Sequence, residues 1–105
     1  MESYKVIALS TAHITRSDIE LLESLANKNN PRIMSRPTGF FIKLCHIDSS
    51  LPTEPQIQAE TDLLFNRDSS KALLDLIALA MKGKFGGLEI DEAVDIDYGI
   101  ATYEQ

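Results

Sequence analysis

The chain has one cysteine, Cys45, no tryptophan and only two histidines, His13 and His46. A lone cysteine excludes an intrachain disulfide and favours a reducing compartment. Two histidines, one cysteine and scattered acids give no zinc-type spacing, so neither a metal nor a cofactor is expected. Long apolar runs are also missing. The opening "MESYKVIALS" begins with an acid and is apolar too briefly for a signal peptide or a membrane span, which points to the cytoplasm. No nucleophile elbow G-x-S-x-G is present. "KGKFGG" (82–87) lacks G-x-x-x-x-G-K-[ST] and follows a helix instead of a strand, so it reads as helix-end and turn chemistry rather than a phosphate loop. No internal repeat or low-complexity segment is evident.

Positive charge is missing from one region. The net charge is -6, from ten basic and sixteen acidic residues. Residues 1–85 hold ten of each and sum to zero. Residues 86–105 hold Glu89, Asp91, Glu92, Asp95, Asp97 and Glu104 with no Lys or Arg, and so carry the whole imbalance. Direct binding to nucleic-acid phosphate needs the opposite sign and is not expected.

What is present suits one α+β domain over residues 1–105. A chain of 105 residues should bury roughly 65% of its unfolded-state surface, enough to fold without disulfides or metals. "YKVIAL" (4–9) reads as a buried strand. A helix follows. Thr15 and Asp18 have the S/T-x-x-D/E spacing of a capping box, and Ile14 and Ile19 stand where a hydrophobic staple would join them. Ile19, Leu21, Leu22, Leu25 and Ala26 then fall on one side, with Glu20, Glu23, Ser24 and Asn27 on the other. Residues 32–47 read as a hairpin turning at Pro37-Thr38-Gly39, with Phe40, Ile42 and Leu44 on one face. Residues 48–66, with Pro52 and Pro55, read as an irregular connection with a short strand or turn near "DLLF" (62–65). Residues 67–84 form a second helix, capped by Asp68 or Ser69 and ended by Gly83. This helix is apolar around most of its girth, so it must be covered by the long connection or by another chain, as in a homodimer. "GGLEID" (86–91) is a further strand, and "YGIATYE" (98–104) a last one at the edge. The predicted order is β-α-β-β-α-β, that of a ferredoxin-like sandwich with two helices on one face of an antiparallel sheet.

Three places carry reactive or charged side chains. In "ALSTAHITRSDIE" (8–20), Ser10 or Thr11, His13 and Asp18 would sketch a hydrolytic triad, but Asp18 already serves the capping box. The plainer reading is a loop whose hydroxyls satisfy free helix N–H groups. Cys45 and His46 are strand neighbours pointing to opposite faces, so they form no local dyad. "EIDEAVDIDYG" (89–99) packs four acids into residues 91–97 but lacks the calcium-loop ligand series. Its readings are a solvated acidic loop, a surface for a basic protein or a divalent-cation site held by oxygen ligands, and Tyr98 and Tyr103 beside the acids suit the second.

"VIALSTAHITRSDIELLESL", "GFFIKL" and "LLDLIALAMKGKFGGLEIDEAVDIDYGIATYE" resemble a family of small phage- and plasmid-borne domains of unknown function. That family is marked by a STAHIT-type strand-to-helix segment, an aromatic strand and a closing helix-strand unit. The likeness runs over most of the chain. It departs at Leu88-Glu89-Ile90-Asp91, where the family more often has tryptophan nearby, and again at "GIATYE". The resemblance implies a mobile-element setting and the host cytoplasm. It carries over no catalytic residue.

The reading is therefore a non-enzymatic protein-binding module with no membrane role. Glu89, Asp91, Glu92, Asp95, Asp97 and Tyr98 would meet a protein with a basic surface, and the mobile-element setting implies an inhibitor of a host defence system, of the anti-CRISPR or anti-restriction kind. Two alternatives stand beside it: a small ligand-binding protein or hydrolase using the His13 loop, and a purely structural homodimer.

Overall fold

Alternation of period two and amphipathic stripes of period 3.6 both resolve into elements in the computed structural model, which describes residues 5–28, 30–44, 52–65 and 68–103. The order is β1 (Val6–Ser10), a single 3₁₀ turn (Thr11–His13), α1 (Arg16–Asn27), β2 (Ile33–Arg36), β3 (Gly39–Lys43), α2 (Glu54–Phe65), α3 (Lys71–Lys82) and β4 (Gly87–Asp91). The class is α+β. The radius of gyration, 12.9 Å, is that of a compact chain of this length.

The four strands form one sheet in the order β1-β4-β3-β2. β4 runs parallel to β1 and antiparallel to β3, and β3 pairs antiparallel with β2. The expected all-antiparallel sheet is therefore mixed. Two helices, not one, separate β3 from β4, and they return the chain so that β4 enters beside β1 in the same direction. Alternation does the rest. Leu9, Leu88, Ile90, Phe40, Ile42 and Ile33 point into a core shared with Leu22 and Leu25 of α1 and with Leu73, Leu76, Ile77 and Ala80 of α3. The opposite face carries Val6, Ala8, Met34 and Lys43, all exposed. Phe41 also lies on that face, yet it is buried. Its ring rests on Gly87, where a Cβ would come within 2.7 Å of a ring carbon, and the Arg36 guanidinium covers it at 5.5 Å.

The connection expected at 48–66 is largely helix. A T-x-x-Q capping box starts α2. The Thr53 N–H donates to Gln56 Oε1 at 2.8 Å, and the Gln56 N–H donates to Thr53 Oγ1 at 3.4 Å. Ile57, Glu60, Thr61, Leu64 and Phe65 make the buried stripe at i, i+3, i+4, i+7 and i+8. Two of its positions are polar, which hid it. The Thr61 hydroxyl donates to the Ile57 carbonyl at 2.8 Å, and Glu60 meets the Arg32 guanidinium at 3.0 Å. Arg32 in turn donates from Nε to the Lys43 carbonyl. α2 packs on α3 and thereby supplies cover for that helix's apolar girth.

α3 is shorter than the expected 67–84, and its cap is neither Asp68 nor Ser69 but Ser70, the hydroxyl accepting from the Leu73 N–H. At its other end Gly83 keeps a right-handed conformation, and the reversal falls on Lys84, at φ 60°. The Phe85 N–H donates to the Ala80 carbonyl at 2.9 Å and the Lys84 N–H to the Met81 carbonyl at 3.0 Å. These two bonds define a Schellman motif with lysine where glycine is favoured. No strand forms at 98–103. That segment instead gives its polar groups to the 3₁₀ turn, as described next. Among the described residues no helix is long and apolar enough to cross a membrane.

Candidate functional site

β4 ends at Asp91, and its side chain binds two segments together. The Ala93 N–H donates to Asp91 Oδ1 at 2.8 Å and the Thr38 hydroxyl donates to the same oxygen at 2.7 Å. The Glu92 N–H donates to the Thr38 carbonyl at 2.9 Å. The tip of the β2–β3 hairpin is thereby fastened to the start of the acidic segment. These donors, the Ala93 amide first and the Thr38 hydroxyl second, hold the Asp91 carboxyl below the usual carboxylate range against a smaller opposing effect of burial.

The far end of the segment is fastened to His13. This ring is 1% exposed. Its Nδ1 lies 3.0 Å from the Ala101 carbonyl, and the Asp97 N–H donates to its Nε2 at 3.1 Å. A carbonyl only accepts and an amide only donates, so the ring carries its proton on Nδ1 and a lone pair on Nε2. The Tyr103 N–H adds a third tie, to the Ala12 carbonyl at 2.9 Å. Within the segment Asp97 Oδ1 accepts from the Gly99 N–H at 2.9 Å, closing a tight turn beneath Tyr98.

Between these anchors the loop faces solvent. Glu92, Asp95 and Asp97 are exposed, Ile96 is 41% exposed and Tyr98 is 95% exposed. Among the described residues neither these acids nor Glu89 or Asp91 pairs with a Lys or Arg. The six residues singled out from the sequence thus separate into two sets. Glu92, Asp95, Asp97 and Tyr98 share one exposed loop. Glu89 lies half-buried on the open sheet face, in register with Ala8 and Phe41, and Asp91 is spent on the hairpin tip. Carboxylates with no cation beside them among the described residues project negative potential into the solvent around this loop.

The triad sketched at the strand-to-helix junction is not assembled. The Ser10 hydroxyl accepts from the Ala12 N–H at 3.1 Å and caps the 3₁₀ turn. Both His13 nitrogens are taken by backbone groups. Asp18, 1% exposed, faces another way. Its carboxylate accepts from the Thr15 N–H at 3.2 Å and, across the interior, from the Ser70 N–H at 3.1 Å and the Ser70 hydroxyl at 2.5 Å. The capping box expected at Thr15 is present, and its carboxylate serves the N-terminus of α3 as well. Cys45 and His46 lie outside the described residues.

One feature had no signal in the sequence. An open cleft of about 370 Å³ lies between α1 and the hairpin tip, with Thr11, Glu23, Ser35, Arg36, Thr38 and Glu92 among its walls. It forms where the carboxyl ends of the parallel strands β1 and β4 meet the turn of a distant hairpin, a juxtaposition that only the strand order creates. Among the described residues no three His, Cys, Asp or Glu side chains group as a metal site.

A protein-family model described as "Family of unknown function (DUF5983) C-terminal domain" matches residues 6–105. No curated protein and no solved structure matches the chain significantly.

Proposed function

The chain belongs to this family of unknown function, DUF5983, and from that premise we propose that it is a non-enzymatic protein-binding module whose contact surface is the acidic loop 92–98. The observation that carries the reading is the loop's construction. Three exposed carboxylates without cationic partners among the described residues flank a tyrosine that is 95% exposed, and both ends of the loop are fixed to the body of the fold. A pre-positioned loop loses little conformational entropy on binding, and tyrosine is among the residues enriched as interface anchors.

The partner is a protein with a basic surface. An acidic loop of this kind can enter a groove built for nucleic-acid phosphate by matching its charge. With the mobile-element setting that the STAHIT-type segment implies, the role proposed is inhibition of a host defence system, of the anti-restriction or anti-CRISPR type, in the host cytoplasm. Asp91 holds the loop's base, and Glu89, on the neighbouring sheet face, adds its charge to the field.

The test is affinity capture from a host lysate with the triple variant Glu92→Gln, Asp95→Asn, Tyr98→Ala as control, which leaves the Asp91 and Asp97 hydrogen bonds intact. Capture by the wild type that weakens with salt and is lost in the variant supports the reading. Equal capture by both, with equal salt dependence, removes it.

A further inference from the structure

We propose that His13 is a proton-sensitive latch that holds the acidic loop in its bound-ready shape and releases it in acid. The inference deepens the acidic-loop reading and rests on it for its biological consequence, but the latch itself is a property of the free protein.

The argument is geometric. His13 reaches across 84 residues of sequence to the Asp97 N–H and 88 to the Ala101 carbonyl. Both bonds are made by one ring in one tautomer. The Asp97 amide can only donate, so it needs the Nε2 lone pair. A proton arriving on Nε2 from solvent turns that acceptor into a second donor, and two N–H groups then face each other about 3.1 Å apart. The ring is 1% exposed, so no water compensates it in place. The relief is to let the segment go. The segment is suited to going, because beyond Asp91 its described ties to the rest of the fold are few: the Thr38 carbonyl at its start, His13, the Ala12 carbonyl at Tyr103, and the partly buried Ile100 side chain against the core. The Asp91–Thr38 fastening lies on the near side of the loop and does not involve the ring, so release frees one end only.

The charged groups around the latch are few. The segment brings Asp95 and Asp97, both exposed, which attract an imidazolium through screened solvent and moderate the effect without supplying an acceptor at Nε2. The start of α1 brings Arg16, exposed, and Asp18, engaged by Thr15 and Ser70. α3, which touches the 3₁₀ turn, carries Lys71, Asp75 and Lys82 at exposed positions.

Amide exchange by NMR at pH 8 and pH 5.5, corrected for intrinsic rates, tests the latch in the free protein. In the wild type, protection at the Asp97 and Tyr103 amides should fall several-fold, up to about tenfold, at the lower pH, while core amides such as Ile90 keep theirs. The His13 ring nitrogens should report the Nδ1–H tautomer at pH 8, and its loss should coincide with the loss of protection. His13→Gln keeps one donor and one acceptor but does not titrate, so it should keep protection at both values. Unchanged wild-type protection, or an equal fall in His13→Gln, overturns the latch. The wild-type ring and amide signals decide the matter even if that variant folds poorly. Because no partner is used, a failed latch leaves the acidic-loop reading standing, and a failed capture experiment at pH 8 leaves the latch standing.

Discussion

Replacing Asp18 with alanine should uncouple the two helices that frame the core. In the native structure this one buried carboxylate accepts three hydrogen bonds, from the Thr15 N–H, the Ser70 N–H and the Ser70 hydroxyl. It therefore meets the N-terminal ends of α1 and α3 together, where the helix dipoles favour negative charge. An N-cap interaction is worth about 1 kcal/mol, and a hydrogen bond to a charged group about 1.5–3 kcal/mol. Allowing for shared atoms and water entering the gap, the expected loss is about 3 kcal/mol. With a urea slope of about 1.5–2 kcal/mol/M, the midpoint should drop by about 1.5–2 M. Ser70→Ala removes the hydroxyl bond to Asp18 and the cap on Leu73, and should cost about 1–2 kcal/mol. The decisive quantity is the coupling between the two changes. If the carboxylate joins the helices, the double variant should be little worse than Asp18→Ala alone, with a coupling of at least 1 kcal/mol. Effects that add to within about 0.5 kcal/mol would falsify the account of Asp18 as a shared cap.

Three further outcomes are expected. Gly39→Ala should be severely destabilising, by about 3 kcal/mol or more in urea melts, because its Cβ would stand 1.9 Å from the Ile90 carbonyl oxygen; a loss under about 1 kcal/mol contradicts the register of β3 on β4. Lys84→Gly should raise stability by about 1 kcal/mol, since it relieves a left-handed residue at the end of α3, and a fall in melting temperature would count against the Schellman assignment. The Asp91 carboxyl sits below its ordinary value, so its contribution to stability is present above about pH 4 and is lost as pH falls through the folded-state value. Thr38→Val should move that carboxyl back toward the ordinary value in a carbon-detected NMR titration, and an unmoved titration would deny the Thr38 bond its role.

What the sequence showed and what it hid follow from one physical distinction. Local signals were legible. The capping box at Thr15 and Asp18, the hairpin turn at Pro37-Thr38, and the alternation of Phe40, Ile42, Leu88 and Ile90 all depend on neighbours a few residues apart, and all are present. α2 was missed because its buried stripe is interrupted by Glu60 and Thr61, whose cost is met by Arg32, 28 positions earlier, and by a bond to the helix's own backbone. Its T-x-x-Q start at Thr53 was the signal that could have found it. The strand expected at 98–104 had the right side chains, but pairing depends on where the backbone groups go. His13 and Ala12 claim them first. The same holds for the site. The sequence marked the acids, whereas the two fastenings that shape their loop, at Thr38 and His13, join residues more than fifty positions apart.

The strand order also sets the timetable of folding. β4 is the last of the described strands in the chain, yet it stands between β1 and the β2–β3 hairpin and is the only strand that touches both. Before residues 87–91 arrive, β1 has no strand partner and the hairpin is a two-stranded ribbon, which is marginal in water. Helices α1 and α3 have no complete sheet to cover until then. Folding must therefore wait for a contact between residues about eighty positions apart, which slows folding for a chain of this length. A fragment ending before Gly87 should not hold a partial native sheet. Until residues 87–91 join, the edges of β1 and β3 that β4 covers stand open to pairing with other chains.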